Sequence, residues 1–179
     1  MHEKRFTQVE RLRTTQRTAL LEVQRVTDLS LEGISVGNVL DVGTGSALFA
    51  EEFAGRGLEV AGIDPNEIML EAARKFVPHA DFKQGTAEVI PYPDKTFDLV
   101  ILGHVLHETD EPLKALQETL RVASQRVVVV EWPYQKEEMG PPLEHRLQPD
   151  EVIKWGRDVG FKQVAVYRLA HMVLFRLEV

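Results

Sequence analysis

Residues Val39 to Gly57 read VLDVGTGSALFAEEFAGRG, and no other segment constrains the chain as much. Val39, Leu40 and Val42 suit a strand buried on both faces. Gly43 and Gly45 flank Thr44 in a Gly-x-Gly turn, which allows positive φ and leaves no Cβ in the way of a ligand. The residues that follow predict a helix from about Ala47 to Ala54. The turn therefore delivers the chain to a helix N-terminus, where free N–H groups point outward. At the carboxyl end of the first strand of an open α/β sheet, that arrangement is a nucleotide-type cofactor site.

Three residues bear on which cofactor it is. The dinucleotide fingerprint G-x-G-x-x-G/A needs a small third position, for close packing of helix on strand. Leu48 occupies that position here and argues against NAD or FAD. Asp41 lies inside the strand, two residues before Gly43. A carboxylate there suits a cationic ligand better than a pyrophosphate, although Asp41 could also serve only to order the turn. Asp64 closes the next apolar run, Val60 to Asp64. An acid at that place can accept hydrogen bonds from both ribose hydroxyls, or it can cap the helix after Pro65.

The rest of the chain alternates strands and helices, which implies a parallel sheet in an α/β fold. Helices are expected over about Thr7–Thr27, Glu67–Phe76, Pro112–Ala123 and Pro149–Gly160, with the first unbroken by Gly or Pro. Strands are expected at Val60–Ile63, Ala80–Lys83, Phe97–Leu102 and Val127–Trp132. Gln163–Arg168 and Met172–Glu178 read as an antiparallel hairpin. Residues 133–148 have no period and contain Gly140-Pro141-Pro142, which predicts either a substrate cap above the sheet or a variable surface loop.

Composition removes several function classes. The chain has 179 residues, which suits one domain. Net charge is −7 and no basic stripe is sustained beyond the first 25 residues, so nucleic acid is disfavoured as a partner. The absence of cysteine rules out disulfides, a thiolate nucleophile and a zinc thiolate site. The start, MHEKRFTQVERLR, is too charged for a secretory signal, and the apolar runs are far short of a membrane span. A cytoplasmic location is expected.

The glycine turn, the GID of the second strand and GTAEVIPYPDKTFDLVILGHVLHE (residues 85–108) together resemble class I S-adenosylmethionine-dependent methyltransferases. The likeness is greatest to the methyltransferase type 11 group, which includes relatives of the ubiquinone/menaquinone C-methyltransferases. It covers Val39 to Val179 and implies a Rossmann-like, seven-stranded, mostly parallel sheet with helices on both faces. Residues 1–38 would then be a helical lid and connector, and residues 39–179 the S-adenosylmethionine-binding domain, within a single domain overall.

The resemblance also implies the site. Gly43, Thr44 and Gly45 would receive the methionine part of S-adenosylmethionine, with Asp41 facing its ammonium. Asp64 would grip the ribose, flanked by Ile63, Pro65 and Asn66. Gly85, Thr86 and Ala87 would line the adenine. Thr86 stands where the group often has Asp, so the contact to the adenine amino group is uncharged here. Gly103 and His104 would end the fourth strand beneath the transferring methyl. His104 and His107 are the candidate general bases, since histidine titrates near neutrality. His-x-x-His-Glu lacks the i, i+4 spacing of a helix metal pair, so no metal is expected. Trp132 and Tyr134 could stack on a substrate or pack under the loop. The expected reaction is methyl transfer by in-line displacement to a small molecule, and a homodimer is compatible with it. The alternatives are a catalytically silent S-adenosylmethionine-binding module, in which the arginine-rich N-terminal helix could dock a partner, and an NAD-dependent oxidoreductase.

Overall fold

Valine- and leucine-rich strands that can only be buried form the centre of the molecule. The computed structural model describes residues 9–137 and 139–179. Its strands are β1 Asn38–Val42, β2 Glu59–Asp64, β3 Asp81–Gln84, β4 Phe97–Gly103, β5 Ala123–Glu131, β6 Gln163–Arg168 and β7 Val173–Glu178. They make one seven-stranded sheet in the order β3-β2-β1-β4-β5-β7-β6. β1 to β5 run parallel, and β7 pairs antiparallel with both β5 and β6. This is the expected Rossmann-like α/β sheet with its closing hairpin.

Side-chain alternation divides the central strands between two cores. Leu40, Val100, Leu102, Val127 and Val129 face one side, and Val39, Leu99, Ile101, Val128 and Val130 face the other. All ten have no exposed surface, because helices cover both faces. The helices are α1 Val9–Leu12, α2 Thr15–Leu21, α3 Val23–Leu31, α4 Leu48–Gly55, α5 Glu67–Phe76, α6 Pro112–Val122 and α7 Pro149–Val159. Val26 and Leu29 of α3 pack with Phe49 and Phe53 of α4 on one face. Leu116 of α6 and Val152 of α7 pack on the other.

Two expectations need correction. The N-terminal segment is not one helix over Thr7–Thr27. Thr14 caps α2 by accepting from the Arg17 N–H, and Glu22 adopts left-handed backbone (φ 46°, ψ 46°) between α2 and α3. The part of the expected helix before Val9 lies outside the described residues. β5 also starts at Ala123 rather than Val127, because Ser124, Gln125 and Arg126 continue the strand. Arg126 stays buried by donating to the Ser30 and Glu32 carbonyls and the Glu178 carboxylate.

Candidate functional site

In the strand order, neighbours change from descending to ascending number between β1 and β4. The crevice outside the carboxyl ends of such strands is where open α/β sheets bind ligands. Here it holds a cavity of about 830 Å³, within the range of small-molecule sites. Its floor is the Gly-x-Gly turn, with Gly43 at φ 66° and Gly45 at φ 51°. A Cβ added to Gly43 would lie 2.4 Å from the Val105 Cγ2, so the turn and the end of β4 can approach this closely only with glycine. The Thr44 N–H donates to the Ile63 carbonyl at 2.9 Å, tying the turn to β2.

The two acids are held differently. Asp64 receives the Gly45 N–H on Oδ2 at 2.9 Å and the Asn66 N–H on Oδ1 at 2.8 Å. Burial raises its pKa, and those two N–H donors oppose the rise. Asp41 is buried and receives the Thr44 hydroxyl on Oδ2 at 2.8 Å. Burial pushes its pKa up to about 7, against the Thr44 hydrogen bond, and neighbouring Asp64 adds to the rise. Two carboxylates on one floor call for a ligand with positive charge and hydroxyl donors, and they would repel a pyrophosphate. A sulfonium ligand bearing an ammonium and a ribose fits this donor set.

Of the residues expected to bind the cofactor, Asp41, Gly43, Thr44, Gly45, Asp64 and Pro65 line this cavity. So do Gly85, Thr86, Ala87, Gly103 and His104, together with the expected base His107. Ile63 does not. Its side chain is fully buried in the core against Leu40 and Ala87, because alternation along β2 turns it away while its neighbour Asp64 faces the cavity. The helix after Pro65 is capped by Asn66, whose side chain accepts from the Ile68 N–H, so Asp64 is not its cap. Leu48, at the third fingerprint position, is also on the cavity wall.

The two histidines differ sharply. His104 follows β4 with left-handed backbone at φ 61°. Its ring stacks on Trp132 at 4.7 Å between centroids, and its Nε2 lies 2.9 Å from the Met172 Sδ. Its Nδ1 is buried without a hydrogen-bond partner. Burial first, then the positive charge of Arg17 and that of His107 whenever it is protonated, hold its pKa well below the ordinary value, so the ring stays neutral. His107 lies in a 3-10 turn, Leu106–Glu108. Its Nδ1 is 2.7 Å from the Glu131 Oε2, and its backbone N–H donates to the Glu131 Oε1 at 3.1 Å.

The cavity is completed by the two segments read from the sequence as a lid and a possible substrate cap. Leu12, Arg17, Leu20 and Leu21 come from α1 and α2. Met139, Gly140, Pro141 and Pro142 come from the segment after β5, where Gly140 packs so closely that a Cβ would meet the Trp132 ring at 2.7 Å. Glu131 supports the site through His107. An acid ending an apolar strand was the only signal for it.

Comparisons with known proteins agree with this geometry. Residues 40–130 match the family described as "Methyltransferase domain". A demethylmenaquinone methyltransferase of Renibacterium salmoninarum is 37% identical over 98 residues, covering 54% of this chain and 41% of that protein. The uncharacterized methyltransferase YcgJ of Bacillus subtilis is 36% identical over 92 residues, covering 49% of this chain and 36% of that protein. The chain thus spans about two-fifths of the length of these curated relatives. A SAM-dependent methyltransferase of Aquifex aeolicus has the same fold over 95% of this chain and 96% of its own, with a TM-score of 0.82 and 26% identity. The chain belongs to the methyltransferase-domain family, in its class I, S-adenosylmethionine-dependent division, and S-adenosylmethionine is its cofactor.

Proposed function

We propose that this protein transfers a methyl group from S-adenosylmethionine to a small-molecule acceptor by in-line displacement. The observation that carries the reading is the pair of buried acids, Asp41 and Asp64, on a glycine-turn floor. Asp64 would accept from the ribose hydroxyls and Asp41 would pair with the ammonium. Gly43 and Gly45 would admit the methionine part, with Pro65 beside the ribose. Gly85, Thr86 and Ala87 would line the adenine, and Gly103 with His104 would lie beneath the methyl. When bound, the cofactor supplies a sulfonium-activated methyl group. The chain aligns the acceptor with it and excludes water, and such alignment can lower a barrier by about 7–11 kcal/mol.

The wall formed by α2 and residues 139–142 supports a lid role for the N-terminal helices. A small acceptor is supported by the cavity volume of about 830 Å³ and by the net charge of −7. Among the described residues no helix is long and apolar enough to cross a membrane, and a cytoplasmic setting belongs to the same reading. Thermal unfolding with S-adenosylmethionine, S-adenosylhomocysteine and NAD in parallel tests it. At 100-fold excess over the dissociation constant a ligand adds about 2.7 kcal/mol, or roughly 5–10 °C in midpoint for a chain of this size. The first two ligands should raise the midpoint, and Asp64→Ala should abolish the rise. A rise with NAD alone would overturn the proposal.

A further inference from the structure

We infer that His107, positioned by Glu131, is the general base of the reaction, and that the acceptor is an apolar, ring-sized molecule that loses a hydroxyl proton to it. The inference rests on the methyl-transfer reading and adds the acceptor's chemistry to it. Its basis is the geometry at the end of β5. Glu131 is 2% exposed, yet it binds both the Nδ1 and the backbone N–H of His107. A carboxylate accepts, so the neutral ring carries its proton on Nδ1 and its lone pair on Nε2. His107 lines the same cavity as Asp41 and Asp64. A buried carboxylate that orients a histidine and stabilises its cation is the standard means of making imidazole a base.

The neighbours divide the roles between the two histidines. Near His107 stand Glu131 from β5, Glu108 from its own turn and His104 from the end of β4, and Arg17 from α2 lines the same cavity. The Glu108 Oε1 is 3.8 Å from the His107 Nε2, and the two rings are 6.5 Å apart. His104 has no carboxylate; it has a thioether at Nε2 and an indole face. His104 therefore serves as a neutral wall and His107 as the proton acceptor. Leu20, Leu21, Trp132, Met139 and Pro141 give the cavity an apolar wall that suits a ring, with Gln16 and Arg17 as polar lining residues beside it. In the step, the acceptor's O–H proton passes to Nε2 and the freed oxygen pair forms the O–CH3 bond. The S–CH3 bond breaks with its pair left on sulfur, and the Glu131 carboxylate balances the imidazolium.

The test uses the whole protein saturated with S-adenosylhomocysteine, with 4-nitrophenol as the acceptor probe. Below its own pKa the probe is colourless in solution, so a phenolate absorption band on binding reports proton transfer to the protein. The wild type should give that band. His107→Gln should abolish it, Glu131→Gln should move its appearance to higher pH, and Glu131→Asp should restore part of it. Nitrogen NMR of labelled histidine should find the His107 proton on Nδ1 in the wild type and not fixed there in Glu131→Gln. A proton on Nε2, a band that survives His107→Gln, or no band in the wild type would each overturn the inference. Calorimetry separates this outcome from failure of the methyl-transfer reading. If S-adenosylhomocysteine binds the wild type and His107→Gln alike, only the base assignment is at stake; if it does not bind the wild type, the parent reading fails.

Discussion

Asp41 shows how one buried side chain can join stability to ligand binding. Its pKa is about 7 in the folded protein against an ordinary 3.8, so the folded form keeps a proton that the unfolded chain has released. Stability must therefore fall as pH rises from about 4 to 7, and the full cost, at most about 4 kcal/mol, is present above that range. Asp41→Asn should leave stability near pH 4 unchanged and raise it by about 2 kcal/mol at pH 8, measured by denaturant unfolding at the two pH values. The same substitution should weaken S-adenosylmethionine binding about tenfold or more, because a neutral amide cannot make the charge-assisted contact to an ammonium. An unchanged affinity with raised stability would leave Asp41 a role only in ordering the turn.

Gly43 gives a second test at this scale. Alanine there is strained by φ 66° and meets the Val105 side chain at 2.4 Å. Gly43→Ala should cost about 2–3 kcal/mol. Val105→Ala in that background should recover the steric part and leave the backbone part, so the two substitutions should be non-additive in a double-mutant cycle.

Among the elements, the segment after β5 depends most on a single residue. The Arg146 guanidinium, with 1% of its side chain exposed, donates to the Pro133, Gln135, Met139 and Pro141 carbonyls and pairs with Glu137. It also lies over the Trp132 ring at 5.5 Å. Arg146→Met would take the guanidinium donor from four carbonyls, of which Pro133 keeps the Gln135 N–H, but in a segment outside the sheet. The expected outcome is local opening: limited proteolysis should cut within residues 133–142 at least about tenfold faster, while the global unfolding midpoint moves by only a few degrees. A collapse of the whole transition would show instead that this clasp holds the core.

How far these elements could be read from sequence depends on where their causes lie. β1, β4 and β5 were legible because a strand buried on both faces has to be a continuous apolar run. The glycine turn and the place of Asp64 on the cavity wall were legible because a turn at the end of one strand and an acid at the end of the next are set over short stretches of chain. The break at Glu22 was not, since it lacks Gly or Pro; the Glu22 carboxylate instead receives the Ala170 N–H from 148 positions away. Glu131 was missed for the same reason: its partner His107 is 24 positions off in a different turn. Ile63 does not line the cavity because the site motif names consecutive residues, whereas a strand alternates its faces.

For the whole molecule, the cavity is closed by parts of the chain that are far apart in sequence. The Gln16 Nε2 lies 3.8 Å from the Met139 Sδ across 123 positions, joining α2 to the segment after β5. Arg13 donates to the Ser46 carbonyl at 2.6 Å, pairs with Glu51 and stacks over the Phe76 ring at 3.5 Å, joining the N-terminal helices to α4 and α5. These are contacts of modest strength, and α2 adds only Leu21 to the core, at its junction with α3, whereas α3 is anchored by Val23, Val26 and Leu29. The lid should therefore open by release of α1 and α2 alone, with the break at Glu22 as its hinge. Hydrogen exchange should then slow together in residues 15–21 and 133–145 when S-adenosylhomocysteine binds, by about tenfold or more, because one ligand touches both walls. The β6–β7 hairpin contributes nothing to the cavity wall and should exchange at the same rate with and without ligand. Protection confined to the turn after β1 would mean that the ligand binds the floor without closing the lid. Protection spreading through α3 would move the hinge to the connector before β1.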